Sequence, residues 1–305
     1  LSPCASNGIT MANETILETR GVCKAFGESR VLKNIDFSIR QAEIHGLMGE
    51  NGAGKSTLIK IISGDYSLDS GQILFDGREV AIQTPKIAME LGIRVIYQEI
   101  NVVKPITVAE NIFLGNYPLK KNRMIDWEKL YADAQTVLDS LGVSISVKAK
   151  VSKLTIAEQQ VVEIAKALSV RANILIMDEP TSALNDQETS KLFELLRKLR
   201  NSGVSIIYIT HRFSEMYELT DRITVMRDGE IVGTMDTKDV TNEKLIKMMI
   251  GKDASSMFVH QSQVKDKVIF SVENLSVRGF VENVSFKVRE GELVVIFGLF
   301  GSGQR

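Results

Sequence analysis

The segment Gly49–Thr57, GENGAGKST, is the feature that most constrains what this chain can fold into. Its spacing fits the pattern G-x-x-x-x-G-K-[ST], in which glycines let backbone N–H groups turn inward around nucleotide phosphates. The preceding residues, 43–48, are predicted to form a buried strand, and residues 55–63 a helix that stops at Gly64. These flanks disfavour a chance match in a glycine-rich turn, and they place the loop at a helix N-terminus, where anions bind.

The loop predicts an ATP site with an associated Mg²⁺ ion. Lys55 would supply a positive charge to the β- and γ-phosphates, and the Ser56 hydroxyl would be a ligand for Mg²⁺. The predicted nucleotide-binding residues of the loop are Gly49, Glu50, Asn51, Gly52, Ala53, Gly54, Lys55, Ser56 and Thr57.

Two carboxylates end another predicted strand. In ANILIMDEP, the apolar residues 174–177 are followed directly by Asp178 and Glu179. A buried strand delivers its last residues to the carboxyl edge of the sheet, where α/β folds bind ligands. We expect Asp178 to contact Mg²⁺ directly or through one of its ligands, and Glu179 to polarise a water for in-line attack on the γ-phosphate. The alternative is an acidic pair that caps the next turn.

Three further residues are candidates because of their positions. Gln98 ends the predicted strand IRVIYQ and could reach Mg²⁺ or the attacking water, although a lone glutamine is usually a surface residue. His211 follows the predicted strand VSIIYIT and could hydrogen-bond the γ-phosphate, whereas most lone histidines do not. Phe26, upstream of the loop, could stack on the adenine ring or belong to the core of a predicted sheet.

Composition narrows the class of protein. The 305 residues are 44% hydrophobic, enough for a substantial core, and a net charge of −1 gives no general attraction for nucleic acid, so no such partner is expected. Two cysteines without metal-ligand spacing fit a reducing compartment. No apolar run approaches the roughly 18 residues of a membrane span, so we expect membrane association only through a partner. Residues 1–12 are expected to be a tag or a disordered N-terminus.

Short-range patterns predict an antiparallel β subdomain beside the phosphate loop. Residues 16–39 alternate between apolar and polar, which is typical of antiparallel strands. Two further hairpins are predicted at Asp76-Gly77 and Asp228-Gly229, because Asp-Gly is a common two-residue turn. One buried sheet face is predicted to carry Leu32, Ile35, Phe37 and Ile39.

A helical subdomain is predicted at about residues 105–170, inserted into an α/β core. Residues 105–154 are expected to be mostly helical. Residues 155–168 are expected to form a further helix, which begins with a capping box between Thr155 and Glu158. The apolar stripe of the first helical stretch is predicted to contain Trp127, Leu130, Tyr131, Ala134, Leu138 and Leu141.

Residues 268–305 repeat the beginning of the chain. NVSFKVREGELVVIFG aligns with NIDFSIRQAEIHGLMG at a constant offset. In the corresponding loop, GLFGSGQR, Gln304 and Arg305 stand where the first loop has lysine and serine. We therefore expect residues 252–267, which are polar and aperiodic, to be a linker. Residues 268–305 are expected to be the truncated start of a second domain with a degenerate phosphate loop.

Taken in order, Phe26, GENGAGKST, Gln98, LTIAEQQ, LIMDEP, TSALND and His211 resemble the motifs of an ABC-type ATPase, over essentially all of the chain after Met11. More narrowly, VVEIAKALS, MDEPTSAL, IKMMIGK and the degenerate second loop look like the tandem ATP-binding subunits of bacterial ribose, galactose and xylose importers. The resemblance implies a P-loop NTPase fold of the ABC type, in which residues 13–251 are the first ATPase domain.

The resemblance also implies roles and partners. ATP hydrolysis would power import of a monosaccharide through membrane permease subunits, with a periplasmic or extracellular sugar-binding protein as an indirect partner. The second ABC domain of the same chain would be a further partner, and the protein would lie peripherally at the cytoplasmic face of the cell membrane. The implied residue roles are adenine stacking for Phe26, sensing of Mg²⁺ and water for Gln98, Mg²⁺ linkage for Asp178, catalytic base for Glu179 and γ-phosphate sensing for His211.

One motif departs from the family pattern, and other functions stay open. Where the family has L-S-G-G-Q, residues 154–158 read LTIAE, so Ile156 and Ala157 add side chains where a partner's γ-phosphate should approach bare backbone. A soluble tandem ABC ATPase acting on ribosomes is the alternative from another class, disfavoured by the short connector and the altered signature. A regulator that binds nucleotide without turnover fits poorly with Glu179. Import of another small solute, such as a nucleoside, also fits.

Overall fold

The computed structural model describes residues 14–170, 172–251, 264–277 and 279–297. The chain divides into two compact units, with the boundary directly after Gly251. Three predictions fall outside the described residues: the N-terminal tag, the 252–263 part of the linker, and the degenerate phosphate loop from Gly298 onward.

Within the described part of the first unit, the strands form two sheets. The smaller sheet has the order β2-β1-β4-β5 and is antiparallel throughout. The larger sheet has the order β10-β9-β3-β8-β7-β6 and is parallel except for its edge strand β10. The strands are β1 Thr15–Phe26, β2 Ser29–Arg40, β3 Ile44–Gly49, β4 Ser70–Phe75, β5 Arg78–Val80, β6 Ile93–Ile96, β7 Ile174–Asp178, β8 Ser205–Ile209, β9 Arg222–Arg227 and β10 Glu230–Asp236.

Helices cover the larger sheet and form a lobe beside it. The predicted capping box of α5 is present, with Thr155 and Glu158 each bonding the backbone N–H of the other. No helix among the described residues is both long enough and apolar enough to cross a membrane. The helices are α1 Lys55–Ile62, α2 Pro85–Glu90, α3 Val108–Ile112, α4 Trp127–Leu141, α5 Ile156–Leu168, α6 Asp186–Asn201, α7 Phe213–Leu219 and α8 Asn242–Ile250.

The parallel sheet is buried on both faces, which explains why its strands read as continuous apolar runs. Along β7, Ile174 and Ile176 pack with the antiparallel sheet and α1. The intervening residues, Leu175 and Met177, pack on the other side with the helical lobe. Two apolar layers therefore meet at one sheet, and the predicted α/β fold with an antiparallel subdomain and a helical subdomain is confirmed.

The predicted buried face of the antiparallel sheet is also confirmed. Leu32, Ile35, Phe37 and Ile39 are all buried. The step from Leu32 to Ile35 is three residues rather than two, and it stays on one face because the pairing register of β1 and β2 shifts there. Asn34, at φ 56°, adopts the left-handed conformation that this irregularity requires.

The helical lobe differs from the prediction in two places. Residues 105–154 are not mostly helical, because α3 ends at Ile112 and α4 begins only at Trp127. The segment between them contains Gly115 and Pro118, which do not continue a helix, and it folds back through a bridge between Leu119 and Ile125. Trp127 belongs to the predicted apolar stripe but is 45% exposed, since it is the first residue of α4, where the stripe has not yet reached the core.

The described part of the second unit is an antiparallel hairpin of β11 Val268–Val277 and β12 Val281–Arg289. It repeats a detail of the β1–β2 hairpin. In each hairpin, two irregular residues with positive φ donate their N–H to a side chain of the neighbouring strand. The pairs are Gly21 to Asp36 at 2.7 Å and Asn34 to Cys23 at 3.3 Å in the first hairpin, and Asn274 to Ser285 at 2.8 Å and Asn283 to Ser276 at 2.9 Å in the second.

A hydrogen-bonded series of polar side chains runs across the neighbouring strands β3, β9 and β10. His45 is fully buried; its Nδ1 lies 3.0 Å from Glu43 Oε1 and its Nε2 lies 2.7 Å from Thr224 Oγ1. A carboxylate only accepts hydrogen bonds, so Nδ1 donates, and Thr224 donates to the unprotonated Nε2 while contacting Thr234 at 2.7 Å. Burial lowers the pKa of His45, which therefore stays neutral in the fold.

This arrangement predicts a loss of stability in acid. The unfolded histidine takes up a proton below about pH 6.5, whereas folded His45 does not until its lower pKa is reached, so stability falls as pH falls through this window. We expect His45→Gln to reduce the slope of the unfolding free energy between pH 6.5 and 5, by at most about 1.4 kcal/mol per pH unit. Urea titrations followed by the fluorescence of the single tryptophan measure it.

Thr224→Val is the matched control, because it removes the hydrogen bonds of Thr224 to His45 and Thr234 but keeps the titrating imidazole. It should lower stability at every pH while keeping the wild-type slope. An unchanged slope in His45→Gln would contradict the assignment.

Candidate functional site

The parallel strands carry the predicted site residues to one edge of the sheet. The loop Gly49–Gly54 leaves β3, and His211 follows β8, the neighbour of β3. Asp178 ends β7, the next strand, and Glu179 follows it. Gln98 comes after β6, the far neighbour of β7, although β6 ends at Ile96, two residues earlier than predicted. Four segments distant in sequence therefore meet at the carboxyl ends of adjacent strands.

Two adjoining clefts contain nearly all of the predicted residues. His211 lies in the second cleft, beside Gln98 and Glu179, which line both. The first cleft, of about 360 Å³, is lined by Val31, Asn51, Gly52, Ala53, Gly54, Lys55, Ser56, Thr57, Gln98, Asp178 and Glu179. The second is lined by Gly49, Glu50, Asn51, Gln98, Glu179, His211 and Met249.

Two glycines of the loop have no substitute. A side chain at Gly49 would collide with the backbone carbonyl of Met226 in β9. Gly54, directly before α1, has φ 100° and lies against Leu32, so both conformation and space exclude a side chain. The loop therefore passes close to the sheet and delivers the first N–H groups of α1 to the cleft, where the helix itself provides no acceptors for them.

Lys55 folds back over this loop. Its Nζ donates to the carbonyl oxygens of Gly49 at 2.8 Å and Glu50 at 2.9 Å. Burial lowers its pKa, and the negative charges of Asp178 and Glu179 oppose that shift. The ammonium group is thus held at the mouth of the loop in a partly dry environment, where an anion would strengthen its charged form.

Asp178 is in the opposite situation. Burial raises its pKa, the charge of Glu179 adds to the shift, and Lys55 opposes it. A divalent cation at this position would stabilise the ionised carboxylate. Ser56, Gln98 and Asp178 line the same cleft and offer hydroxyl, amide and carboxylate oxygens, the donors that Mg²⁺ prefers. Within the described ranges, no group of three or more His, Cys, Asp or Glu side chains is arranged to hold a metal ion.

Glu179 has a strained backbone and a fixed neighbour. Its φ is 47°, a left-handed conformation that is costly for a residue with a side chain. Its N–H donates to the carbonyl of Ile209 at 2.9 Å, and its Oε1 lies 3.0 Å from His211 Nδ1. The ionised carboxylate can only accept, so His211 donates through Nδ1 and keeps Nε2 available. The ring of His211 is largely exposed.

Phe26 lies outside both clefts, at the end of β1. The interpretation as a core phenylalanine is wrong, because the residue is 44% exposed. Its ring meets Tyr66 edge-on with centroids 5.2 Å apart, and Lys24 Nζ lies 5.5 Å from its centroid. The ring therefore presents an exposed face at the hairpin end, beside a cation. Stacking on adenine stays a prediction.

The segment LTIAE forms the start of α5 and lines neither cleft. Thr155 is the N-cap, and Glu158 is engaged with it in the capping box. Ile156, the first helical residue, is 47% exposed, and Gln159 Nε2 donates to the carbonyl of Leu154 at 2.9 Å. An exposed apolar side chain therefore stands at the helix N-terminus where the family has small residues.

The residue before Gln98 is anchored by a contact that no local sequence pattern indicates. The preceding residue, Tyr97, donates its hydroxyl to Asp65 Oδ2 at 2.6 Å, and Ser63 donates to the same oxygen at 2.8 Å. Burial and the Asp65 carboxylate raise the pKa of Tyr97 to about 12, so the hydroxyl stays a donor. This contact ties the Gln98 segment to the end of α1. Adjacency to Gln98 was the only available signal, because neither residue belongs to a periodic pattern.

Residues 32–182 match the family described as ABC transporter. Ribose import ATP-binding protein RbsA 2 of Escherichia coli O157:H7 is 45% identical over 295 residues, which are 96% of this chain and 58% of that protein. The chain belongs to the ABC transporter family. It carries the ATP-binding domain of that family, and the predicted resemblance is confirmed.

Other relatives agree with this assignment. Galactose/methyl galactoside import ATP-binding protein MglA of Haemophilus influenzae (strain ATCC 51907 / DSM 11121 / KW20 / Rd) is 41% identical over 292 residues, 95% of this chain and 58% of that protein. This chain thus spans less than two thirds of the length of these relatives. Among solved structures, the ADP conformation of an ATP-binding cassette of an ABC transporter aligns with TM-score 0.70 and 27% identity, covering 79% of this chain and all of the other.

The strained conformation of Glu179 predicts an inverted stability order. A Cβ at positive φ costs about 1–2 kcal/mol and glycine avoids this cost, so Glu179→Gly should be more stable than Glu179→Ala by about 1 kcal/mol. Glu194, an exposed residue inside α6, is the control, where Gly should be less stable than Ala by about 1 kcal/mol. Chemical denaturation of the four variants measures both differences. If the alanine variant were the more stable one at both positions, Glu179 would not be strained in solution.

Proposed function

We propose that this chain is the ATP-binding and ATP-hydrolysing part of an importer that carries a monosaccharide through a membrane permease. The observation that supports it is the pair of clefts that unites the phosphate loop with Gln98, Asp178, Glu179 and His211. The relatives named as ribose and galactose/methyl galactoside import proteins support sugar as the solute. The permease subunits, an indirect sugar-binding partner and a position at the cytoplasmic face of the membrane belong to the same proposal.

Nucleotide binding is assigned to the residues of the phosphate loop. Lys55 would exchange its two loop carbonyls for the β- and γ-phosphates, and the N–H groups at the start of α1 would donate to phosphate oxygens. Ser56, Gln98 and Asp178 would hold Mg²⁺, which neutralises charge on the phosphates. Phe26 is proposed to stack on the adenine from its exposed position at the hairpin end.

Hydrolysis is assigned to Glu179 and His211. Glu179 Oε1 is occupied by His211, which leaves Oε2 to accept a proton from the attacking water. By donating through Nδ1, His211 fixes the rotamer of this carboxylate, and its free Nε2 is proposed to contact the γ-phosphate. Base and sensor would thus act as one hydrogen-bonded pair.

The domain assignment is part of the proposal. Residues 13–251 would be the first ABC domain, with a helical subdomain at about 105–170, and 252–267 the linker. Residues 268–305 would begin a second ABC domain of the same chain, a partner of the first. Two observations support this division: one compact unit ends at Gly251, and the same pattern of hydrogen bonds occurs within each of the two hairpins.

Binding is tested with Lys55→Ala. At a Mg-ATP concentration 100 times the Kd, the wild-type fold gains about 2.7 kcal/mol, which appears as a raised melting temperature. Lys55→Ala should abolish this increase, because the phosphates lose their buried cation. Lys86→Ala, an exposed lysine of α2, should keep it. A full melting shift in Lys55→Ala would remove the central assignment.

Turnover is tested with Glu179→Gln. The amide keeps the shape of the side chain but cannot take a proton, so we expect kcat to fall by about 10²–10⁴-fold while nucleotide binding persists. Glu194→Gln on α6 removes a charge elsewhere on the surface and should leave kcat unchanged. Phosphate release and the Mg-ATP melting shift are measured in parallel. Retained hydrolysis in Glu179→Gln would assign the base to another residue.

A further inference from the structure

A buried carboxylate lies behind the site and takes no part in the proposed chemistry. Glu215, in the first turn of α7, is only 4% exposed. Its Oε1 accepts from Thr181 Oγ1 at 2.7 Å and from Arg212 Nη1 at 3.2 Å, and its Oε2 accepts from the Tyr208 hydroxyl at 2.9 Å. A buried charge is stable only when it is hydrogen-bonded in this way. Glu215 therefore holds these donors in fixed places.

Two of the three donors, Thr181 and Arg212, belong to the turns that present the proposed base and sensor. Thr181 comes two residues after Glu179, in the turn that leaves β7. Arg212 directly follows His211, in the turn that leaves β8. The parallel pairing of β7 with β8 ends at Asp178 and Ile209, and one further backbone bond joins Glu179 N–H to Ile209, so Thr181 and Arg212 lie beyond the ladder. Glu215 supplies a link between them beyond the last pair of the ladder.

The strained backbone of Glu179 needs such a link. A residue keeps a left-handed φ only when its surroundings over-determine it. On one side, the N–H of Glu179 bonds Ile209 at 2.9 Å. On the other side, its carbonyl accepts from Ser182 N–H at 3.2 Å, and the intervening Thr181 is fixed by Glu215.

We propose that Glu215 is a positioning residue that sets the 3.0 Å contact between Glu179 and His211 through Thr181 and Arg212. The proposal rests on the proposed function, because the contact matters for the rate only if Glu179 is the base. Rates depend steeply on such placement, since a displacement of about 1 Å can cost about 100-fold. The phosphate loop is not part of the link, so nucleotide affinity should not depend on it.

The chain offers two matched hydroxyl deletions. Thr181→Val removes the bond between Glu215 and the Glu179 turn, and Tyr208→Phe removes the bond between Glu215 and the buried strand β8. Both side chains are buried, both changes keep the shape, and each takes one donor from Glu215. The melting temperature should fall by similar amounts in the two variants. We expect kcat to fall about tenfold or more in Thr181→Val, with KM unchanged, and to stay within about twofold of wild type in Tyr208→Phe.

Glu215→Gln is the conservative rescue. Its amide oxygen can still accept from Thr181 and Arg212, so kcat should stay closer to wild type than in Thr181→Val. The decisive result against the proposal is a wild-type kcat in Thr181→Val. Equal losses of kcat in Thr181→Val and Tyr208→Phe would also overturn it, because they would reduce the role of Glu215 to stability alone.

A second measurement separates this proposal from the proposed function. The chain has three histidines, and the ring resonances of His211 can be identified in nuclear magnetic resonance spectra by their loss in His211→Gln. Thr181→Val should move them in the direction seen in Glu179→Gln, whereas Tyr208→Phe should leave them in place. If the wild-type chain hydrolyses no ATP, the proposed function fails, and these resonances still decide the role of Glu215. Unmoved His211 resonances in Thr181→Val would overturn it.

Discussion

The register of three neighbouring parallel strands is the constraint on which the rest of this molecule depends. Ile209 of β8 pairs with Leu47 of β3 on one side and with Asp178 of β7 on the other, so these three residues lie level across the sheet. The phosphate loop, Glu179 and His211 each begin within two residues of that line. A slip of one strand would turn its side chains to the opposite face and separate the groups. Packing of both sheet faces fixes the register, and the register assembles the site.

Packing also sets the electrostatics of the site. Lys55 and Asp178 are both partly withdrawn from water. The pKa of Lys55 is lowered and that of Asp178 is raised, and both shifts favour the neutral form. A bound phosphate group and a bound cation would reverse both displacements together. The fold thus leaves one positive and one negative group each short of a counter-charge, and a metal–nucleotide complex presents both counter-charges in one ligand. This electrostatic match, rather than the loop pattern alone, distinguishes the cleft from a glycine-rich turn.

Local patterns determined most of what could be predicted. The phosphate loop, the buried strand before Asp178 and the capping box at Thr155 are each complete within a few adjacent residues, and all three are present in the fold. Contacts between distant residues left no such pattern. Thr181 and Glu215 are 34 positions apart, and nothing near either one indicates the other. The errors have the same origin, because the exposure of Trp127 depends on where α4 begins relative to the core, which helical periodicity does not encode.

The two hairpins show that different side chains can accept a hydrogen bond from a backbone N–H at the same kind of irregularity. In the first, a thiol at Cys23 accepts from the N–H of Asn34, and in the second the hydroxyl of Ser276 accepts from Asn283. A carboxylate at Asp36 is likewise matched by a hydroxyl at Ser285. Any short acceptor satisfies an amide that the ladder leaves free. The second hairpin therefore shows which residue could replace the half-buried Cys23. By analogy with Ser276, Cys23→Ser should keep an acceptor for the N–H of Asn34 and preserve the first hairpin.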